Sequence, residues 1–280
     1  MAALMGSMIA AADQAVVIQP VVNMFSKPSA EVDVVSQATL GTTVHVLQQQ
    51  GDWSQIQTPD SYTGWVRLVG IRPLAAGAAY AVAGRTVTTV SLRTHLYPVA
   101  SVTRRAPVMT APFETRLEVI EEHPEENGRW IGVRLPDGSS AWLQRGDVSF
   151  DLKTMEIQEL VELSKRFLGL PYTWGGTSSF GFDCSGFTQM LCRRGGVGIP
   201  RDAQPQAHWD GMTKVEKGKL QPGDLLYFGS SLQKITHTGF YLGNGEFIHS
   251  TTNEHPVLQI SRLTDEHWTG LFVAARRWKR

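Results

Sequence analysis

The run Ser178-Ser179-Phe180-Gly181-Phe182-Asp183-Cys184-Ser185-Gly186-Phe187 decides how the C-terminal half of this chain is read. A polar, glycine-containing loop passes through Asp183 into a predicted helix that starts near Cys184, runs to Arg194 and is stopped by Gly195-Gly196. A cysteine in the first turn of a helix faces the positive end of the macrodipole, which favours the thiolate and lowers the thiol pKa. The competing reading is a small buried apolar residue, as most unpaired cysteines are. Cys192 fits that reading, mid-helix on the stripe with Thr188 and Leu191. Cys184 has glycine-rich and polar neighbours, and its position alone leaves both readings open.

Upstream lies a second glycine-rich loop, Tyr172-Thr173-Trp174-Gly175-Gly176-Thr177. Before it, Ile157, Leu160, Val161, Ser164 and Leu168 share one helical face, which predicts a helix over 154–168 with Gly169 as its stop. Downstream, Pro222-Gly223-Asp224 signals a turn. Three predicted strands follow, over 225–228, 237–242 and 246–250. Helices followed by strands make residues 151–280 an α+β domain.

The N-terminal half carries an internal repeat. Gly51-Asp52-Trp53 leads through Pro59-Asp60 to Gly64-Trp65-Val66, and Gly128-Arg129-Trp130 leads through Pro136-Asp137 to Ala141-Trp142-Leu143 at the same offsets. Each copy alternates apolar and polar residues, turns at Pro-Asp and resumes with an aromatic strand, the pattern of a β-hairpin. Two small all-β units are expected, over 16–74 and 84–150, with Ala75-Ala76-Gly77-Ala78-Ala79 between them. Residues 1–15 read as a disordered or loosely docked leader, with a cleaved signal as the alternative, because the weak apolar run is short and no Lys or Arg precedes it.

Lys and Arg total 26 and Asp and Glu total 26, so there is no net charge to attract nucleic acid or an anionic membrane. No stretch is apolar over the roughly 20 residues needed to span a bilayer. Two cysteines form no disulfide framework and are too few for a cysteine-based zinc site, which leaves the compartment open. Nothing in the pattern specifies an oligomeric state.

A thiolate nucleophile needs a base, and the base needs a group to hold it. Among the eight histidines, His237 and His249 bracket the turn Gly243-Asn244-Gly245. With a three-residue loop, Leu242 pairs with Glu246, His237 opposes Thr251, and His249 is its diagonal neighbour on the same face. A two-residue turn puts the histidines on opposite faces. In the first register one imidazole can take the thiol proton while the other sets its tautomer. A pair of hydrogen-bonded strand histidines without chemistry is the alternative. A metal is disfavoured, since the spacing fits no zinc pattern. His45, His95 and His123 fall in the β units, and His208, His255 and His267 fall among loop residues on the surface.

Taken together and in this order, Tyr172-Thr173-Trp174-Gly175-Gly176, Asp183-Cys184-Ser185-Gly186-Phe187, Pro200-Arg201-Asp202, Pro222-Gly223-Asp224-Leu225, His237-Thr238-Gly239 and Phe247-Ile248-His249-Ser250 resemble the NlpC-type papain-like cysteine peptidases. The loop Gly175 to Phe182 and the Pro-Arg-Asp segment resemble the subgroup that recycles murein peptides, in which two bacterial SH3-like barrels precede the peptidase domain. The resemblance implies a fold of two small all-β SH3-like barrels followed by an α+β papain-like domain. It implies hydrolysis of the γ-D-glutamyl to L-diamino acid bond of murein tripeptides or tetrapeptides with a free N-terminal L-Ala, without cofactor or metal. A recycling role implies the cytoplasm, with a periplasmic or secreted protein as the alternative. A hydrolase of intact wall, with the barrels as wall-binding modules, is the competing function.

Carried over by resemblance, Cys184 is the expected nucleophile, His237 the base and His249 its orienting partner. Tyr172 joins the Cys184 backbone N–H in binding the oxyanion. Asp183, Ser185 and Asp202 line the pocket for the peptide's amino end. The first barrel contributes Tyr62 and an acidic residue, which falls on Asp33 with Glu31 as the alternative. An ammonium leaving water needs opposite charge and hydrogen bonds, so carboxylates suit that pocket.

Overall fold

The computed structural model describes residues 13–122 and 128–279. Most of the expected leader, and His123, lie outside the described residues. Gln14 and Ala15, counted with the leader on sequence, are part of a strand: they pair with His45 and Val44, and Ala15 also pairs with Pro73.

The first β unit has strands β1 (Gln14–Val17), β2 (Val21–Phe25), β3 (Val34–Thr39), β4 (Thr43–Gln50), β5 (Trp53–Gln57), β6 (Thr63–Arg67) and β7 (Ile71–Pro73). They form one antiparallel sheet in the order β3-β2-β6-β5-β4-β1-β7. Alternation along each strand sends Val17, Met24, Val44, Ile56 and Val66 into a single apolar cluster. The repeated hairpin is present here, with Gln55 opposite Trp65. The Arg67 guanidinium lies 4.3 Å over the Trp53 ring, covering its outer face.

The second unit contains β8 (Thr86–Thr89), β9 (Arg93–Leu96), β10 (Met109–Pro112), β11 (Arg116–Glu122), β12 (Trp130–Arg134), β13 (Ser140–Gln144) and β14 (Val148–Ser149). Strands β9 and β10 pair with each other, and the others form a sheet in the order β13-β12-β11-β8-β14. The second copy of the hairpin places Gly132 opposite Trp142. Tyr80 and Ala81 are buried in the same cluster as Val87, Leu117 and Ile131, and Val16 and Leu40 of the first unit join it. The two β units therefore share one continuous apolar contact.

In the remainder, α1 (Ile157–Lys165) is shorter than the periodicity predicts. Glu156 and Glu159 form a capping box that sets the start at Ile157. Beyond Lys165 the chain continues in turns to Gly169, so Leu168 rotates off the buried face and is exposed. A small ladder of β15 (Thr177–Ser178) and β16 (Gly181–Phe182) precedes α2 (Cys184–Arg194). Then follow α3 (Ala203–His208), β17 (Met212–Val215), β18 (Leu225–Ser231), β19 (Lys234–Gly243), β20 (Glu246–Ser250), β21 (Leu258–Arg262), α4 (Glu266–Leu271) and β22 (Phe272–Trp278). The six strands form an antiparallel sheet in the order β17-β22-β18-β19-β20-β21.

Alternation divides this sheet's two faces. Leu225, Tyr227, Phe240, Ile248 and Ala274 join a cluster with Phe187, Met190 and Leu191 of α2. Their neighbours Leu226, Phe228, Phe247 and Ala275 join Trp268 of α4 on the other side. All of α2 except Arg193 is buried, as expected of a helix enclosed on every side. Each buried ring contributes about 1.5–3 kcal/mol, enough to hold α2 against strands β18 to β20.

Candidate active site

Cys184 is the first residue of α2, and Asp183 is the N-cap whose side chain accepts from the Gly186 N–H at 2.7 Å. The loop packs closely at this point. A Cβ on Gly186 would lie 2.1 Å from the Gly176 carbonyl oxygen, so only glycine lets the helix start so near the glycine-rich loop. Gly175 adopts φ +73°, and a Cβ there would lie 2.9 Å from Val34 of the first β unit.

Cys184 is 8% exposed and lines a cleft of ≈ 1030 Å³ together with His237, Tyr172, Asp33, Tyr62, Asp183, Ser185 and Asp202. The structure thus gathers eight of the nine expected site residues around one space. The ninth, His249, sits directly behind His237. The helix-dipole expectation of a lowered thiol pKa is not met. Burial pushes the Cys184 thiol up to about 12, and the Asp183 carboxylate adds to the rise. The backbone of Thr238 and Ser185 and the Arg201 guanidinium act in the opposite direction and are outweighed. Cys192 is fully buried with its thiol pushed higher still by burial, in keeping with an inert apolar role.

The two histidines meet through β19 and β20. Phe240 pairs with Ile248 and Tyr241 with Phe247, the register that puts both imidazoles on one face. The loop differs from expectation: Gly243, not Leu242, pairs with Glu246, and the register shifts between Tyr241 and Gly243. Asn244 and Gly245 both have positive φ, as a two-residue turn requires, and the bulge restores the face that such a turn would otherwise reverse. His237 Nε2 lies 2.7 Å from His249 Nδ1, and His249 Nε2 lies 3.0 Å from Ser261 Oγ on β21. Trp268 stacks on His237 with centroids 5.0 Å apart and meets His249 edge-on at 4.7 Å. Burial lowers the His237 pKa to about 3 and holds that of the fully buried His249 well below its usual value. Both histidine shifts favour the neutral imidazole at pH 7, and the Cys184 shift favours the protonated thiol.

In the same cleft the Tyr62 hydroxyl donates to Asp202 Oδ2 at 3.2 Å. Burial and the Asp202 charge push Tyr62 up to about 12, so the phenol stays protonated. Burial also raises the Asp202 pKa, against Arg201 and the Tyr62 hydrogen bond. Asp33 lines the cleft from the loop position immediately before β3, next to Val34, whereas Glu31 does not line it. Tyr172 is partly buried, and burial followed by the Cys184 charge raises its pKa, keeping its hydroxyl a donor.

Sequence reasoning missed Arg201, which is 2% exposed. Its two Nη atoms hold the Asp183 carboxylate at 3.0 and 2.6 Å, and Nη1 reaches Ser185 Oγ at 2.9 Å. Its Nε donates to Ser36 Oγ of the first β unit at 3.0 Å, so one guanidinium ties that unit to the cap of α2. A charged residue embedded in Pro200-Arg201-Asp202 was the available signal. His267, read as surface, is exposed but lines the cleft from α4 beside Trp268. His45 and His95 are exposed on strands, His208 ends α3, and His255 is exposed in a loop. The first β unit also grips the C-terminal domain through Trp174 Nε1 of the cleft, which donates to the Val34 carbonyl at 2.8 Å, and, away from the cleft, through Gln189, which donates to Asp60 at 2.9 Å.

The chain is similar in sequence and fold to known proteins. Residues 169–277 match the NlpC/P60 family, and residues 20–69 match the bacterial SH3 domain. The chain is 32% identical over 255 residues to a gamma-D-glutamyl-L-lysine dipeptidyl-peptidase of Bacillus cereus, covering 87% of this chain and 74% of that protein. It is 29% identical to the protein of the same name from Bacillus subtilis, covering 87% of this chain and 81% of that protein. The crystal structure of an NlpC/P60 family protein from Bacillus cereus superposes with a TM-score of 0.82 at 28% identity, over 95% of this chain and 99% of that one. A cysteine at a helix start, a histidine pair beside it and a bacterial SH3 domain against the same cleft thus agree with the sequence relationship, and the chain belongs to the NlpC/P60 family of cysteine peptidases.

Proposed function

We propose that this protein hydrolyses the γ-D-glutamyl to L-diamino acid bond of murein tripeptides or tetrapeptides that carry a free N-terminal L-Ala, releasing L-Ala-D-Glu for cell-wall recycling in the cytoplasm. The second β unit is then a second SH3-like barrel, and the C-terminal domain is papain-like. The observation that carries the substrate reading is the Tyr62 to Asp202 hydrogen bond, which sets a phenol against a carboxylate in a cleft that Asp33 also lines. A peptide ammonium is compensated there by opposite charge and hydrogen bonds, while an N-acylated peptide brings no charge and more bulk.

In this reading Cys184 Sγ loses its proton to His237 Nδ1, the ring nitrogen that His249 leaves free. The sulfur attacks the γ-carbonyl carbon, and the oxyanion takes hydrogen bonds from the Cys184 backbone N–H and the Tyr172 hydroxyl. His237 then returns the proton to the leaving amine, leaving a thioester. Water attacks the thioester with His237 again as base, which frees the dipeptide and restores the thiol. With thiol and imidazole both neutral in the free enzyme, the charge pair forms only as the bond to carbon does.

Mass spectrometry of products from L-Ala-γ-D-Glu-diaminopimelate, its N-acetylated form and purified sacculi tests the proposal. Release of L-Ala-D-Glu from the free tripeptide alone supports it. Cleavage of sacculi makes the protein a wall hydrolase and the β units wall-binding modules.

A further inference from the structure

We infer that Ser261 is a positioning residue that fixes the tautomers of both histidines and so aims the lone pair of His237 at Cys184. The inference rests on the catalytic roles just proposed for Cys184 and His237. It follows from a chain of three contacts. His249 is fully buried, and among the described residues its ring nitrogens have two hydrogen-bond partners, His237 on Nδ1 and Ser261 on Nε2. The rings of Phe247, at 4.6 Å, and Trp268, at 4.7 Å, pack against it and are not acceptors. A neutral imidazole carries one proton, and the nitrogen that holds it is set by what the other nitrogen meets.

If Ser261 Oγ accepts, the proton of His249 sits on Nε2 and its Nδ1 is a lone pair. His237 must then donate from Nε2, and its own Nδ1 becomes a lone pair free to receive the thiol proton. If His249 instead carries its proton on Nδ1, His237 Nε2 must accept, and the His237 proton moves to Nδ1. That is the wrong tautomer for a base facing a protonated thiol. A hydroxyl can accept or donate; because Ser261 is only partly buried, its own proton can go to solvent while Oγ accepts from His249 Nε2–H, and in that arrangement it holds the first state without touching substrate. It reaches the site because β20 and β21 pair Phe247 with Ser261 and His249 with Gln259, making Ser261 the diagonal neighbour of His249.

The test combines kinetics with long-range 1H–15N NMR of histidine side chains in the whole chain. In the unaltered protein both His237 and His249 are expected to be protonated at Nε2. Ser261→Ala is expected to lower kcat by about 10–100-fold, the usual loss when a residue that orients a site ligand is removed, with KM unchanged and Nδ1–H appearing on His249. Ser261→Thr keeps the hydroxyl on a strand that accepts β-branched residues and is expected to restore both kcat and the tautomers. A His249 Nδ1–H signal in the unaltered protein overturns the inference, as does a Ser261→Ala variant with unchanged kcat or unchanged tautomers. The NMR readout needs no turnover, so a wrong substrate assignment leaves this result intact.

Discussion

Tyr62 and Asp202, separated by 140 residues, are joined by a 3.2 Å hydrogen bond that makes the first β unit one wall of the peptidase cleft. Neither residue belongs to the Cys-His machinery. Under the proposed function their contact reads the amino end of the peptide, which would make the β unit part of the enzyme's specificity.

Removing the phenol oxygen tests that role. Tyr62→Phe is expected to raise KM for a free-amine tripeptide by about 10–150-fold, in line with roughly 1.5–3 kcal/mol for a hydrogen bond to a charged group, with little change in kcat. Asp33→Ala is expected to weaken free-amine peptides more than N-acetylated ones. Equal losses on both substrates remove Asp33 from amine recognition.

Cys184→Ser is expected to fold, to bind peptide and to lose turnover by about 10³-fold or more. Cys192→Ala should retain activity, because Cys192 is a fully buried packing residue farther along α2 that does not line the cleft. Calorimetric binding and steady-state assays of both variants distinguish loss of chemistry from loss of fold.

Arg201 is the partner of a buried carboxylate, with side-chain exposures of 1% for Arg201 and 11% for Asp183. Arg201→Met leaves Asp183 charged and unpaired and is expected to cost about 3–5 kcal/mol in urea unfolding. Arg201→Lys should recover little, since a single ammonium cannot hold Asp183, Ser185 and Ser36 together. Wild-type stability in the methionine variant would show that the network is not what holds α2's cap.

The histidine pair makes stability depend on pH. An unfolded imidazole takes up a proton near pH 6.5, whereas His237 resists protonation to about 3 and His249 is lowered in the same direction. Between those limits the unfolded chain binds more protons, so stability is full above about pH 6.5 and falls as pH drops toward 3. The slope is at most about 1.4 kcal/mol per pH unit for each imidazole. Urea midpoints at pH 7.5 and 5 measure it, and a His249→Gln variant should flatten the difference.

Much of the site was legible because its signals are local. The start of α2 at Cys184 followed from the polar, glycine-containing loop that runs through Asp183, and its end from Gly195-Gly196, signals carried within one short stretch of chain. The repeated Trp-containing hairpins and the histidine hairpin likewise follow from alternation and turn residues. Even there the sequence did not reveal the bulge between Tyr241 and Gly243. Periodicity gives the face of a residue only while the register is unbroken.

By itself, then, the sequence determined the order of elements, the nucleophile candidate, its histidine pair and the family. Tertiary structure alone decided which distant groups complete the site. Ser36 meets Arg201 across 165 residues, Trp268 stacks on His237, and Ser261 closes the chain behind His249. It also decided the charge state, since burial outweighs the helix terminus at Cys184. The physical reason is range: capping, alternation and turn preferences act over a few residues, while desolvation and side-chain pairing depend on what the fold brings near.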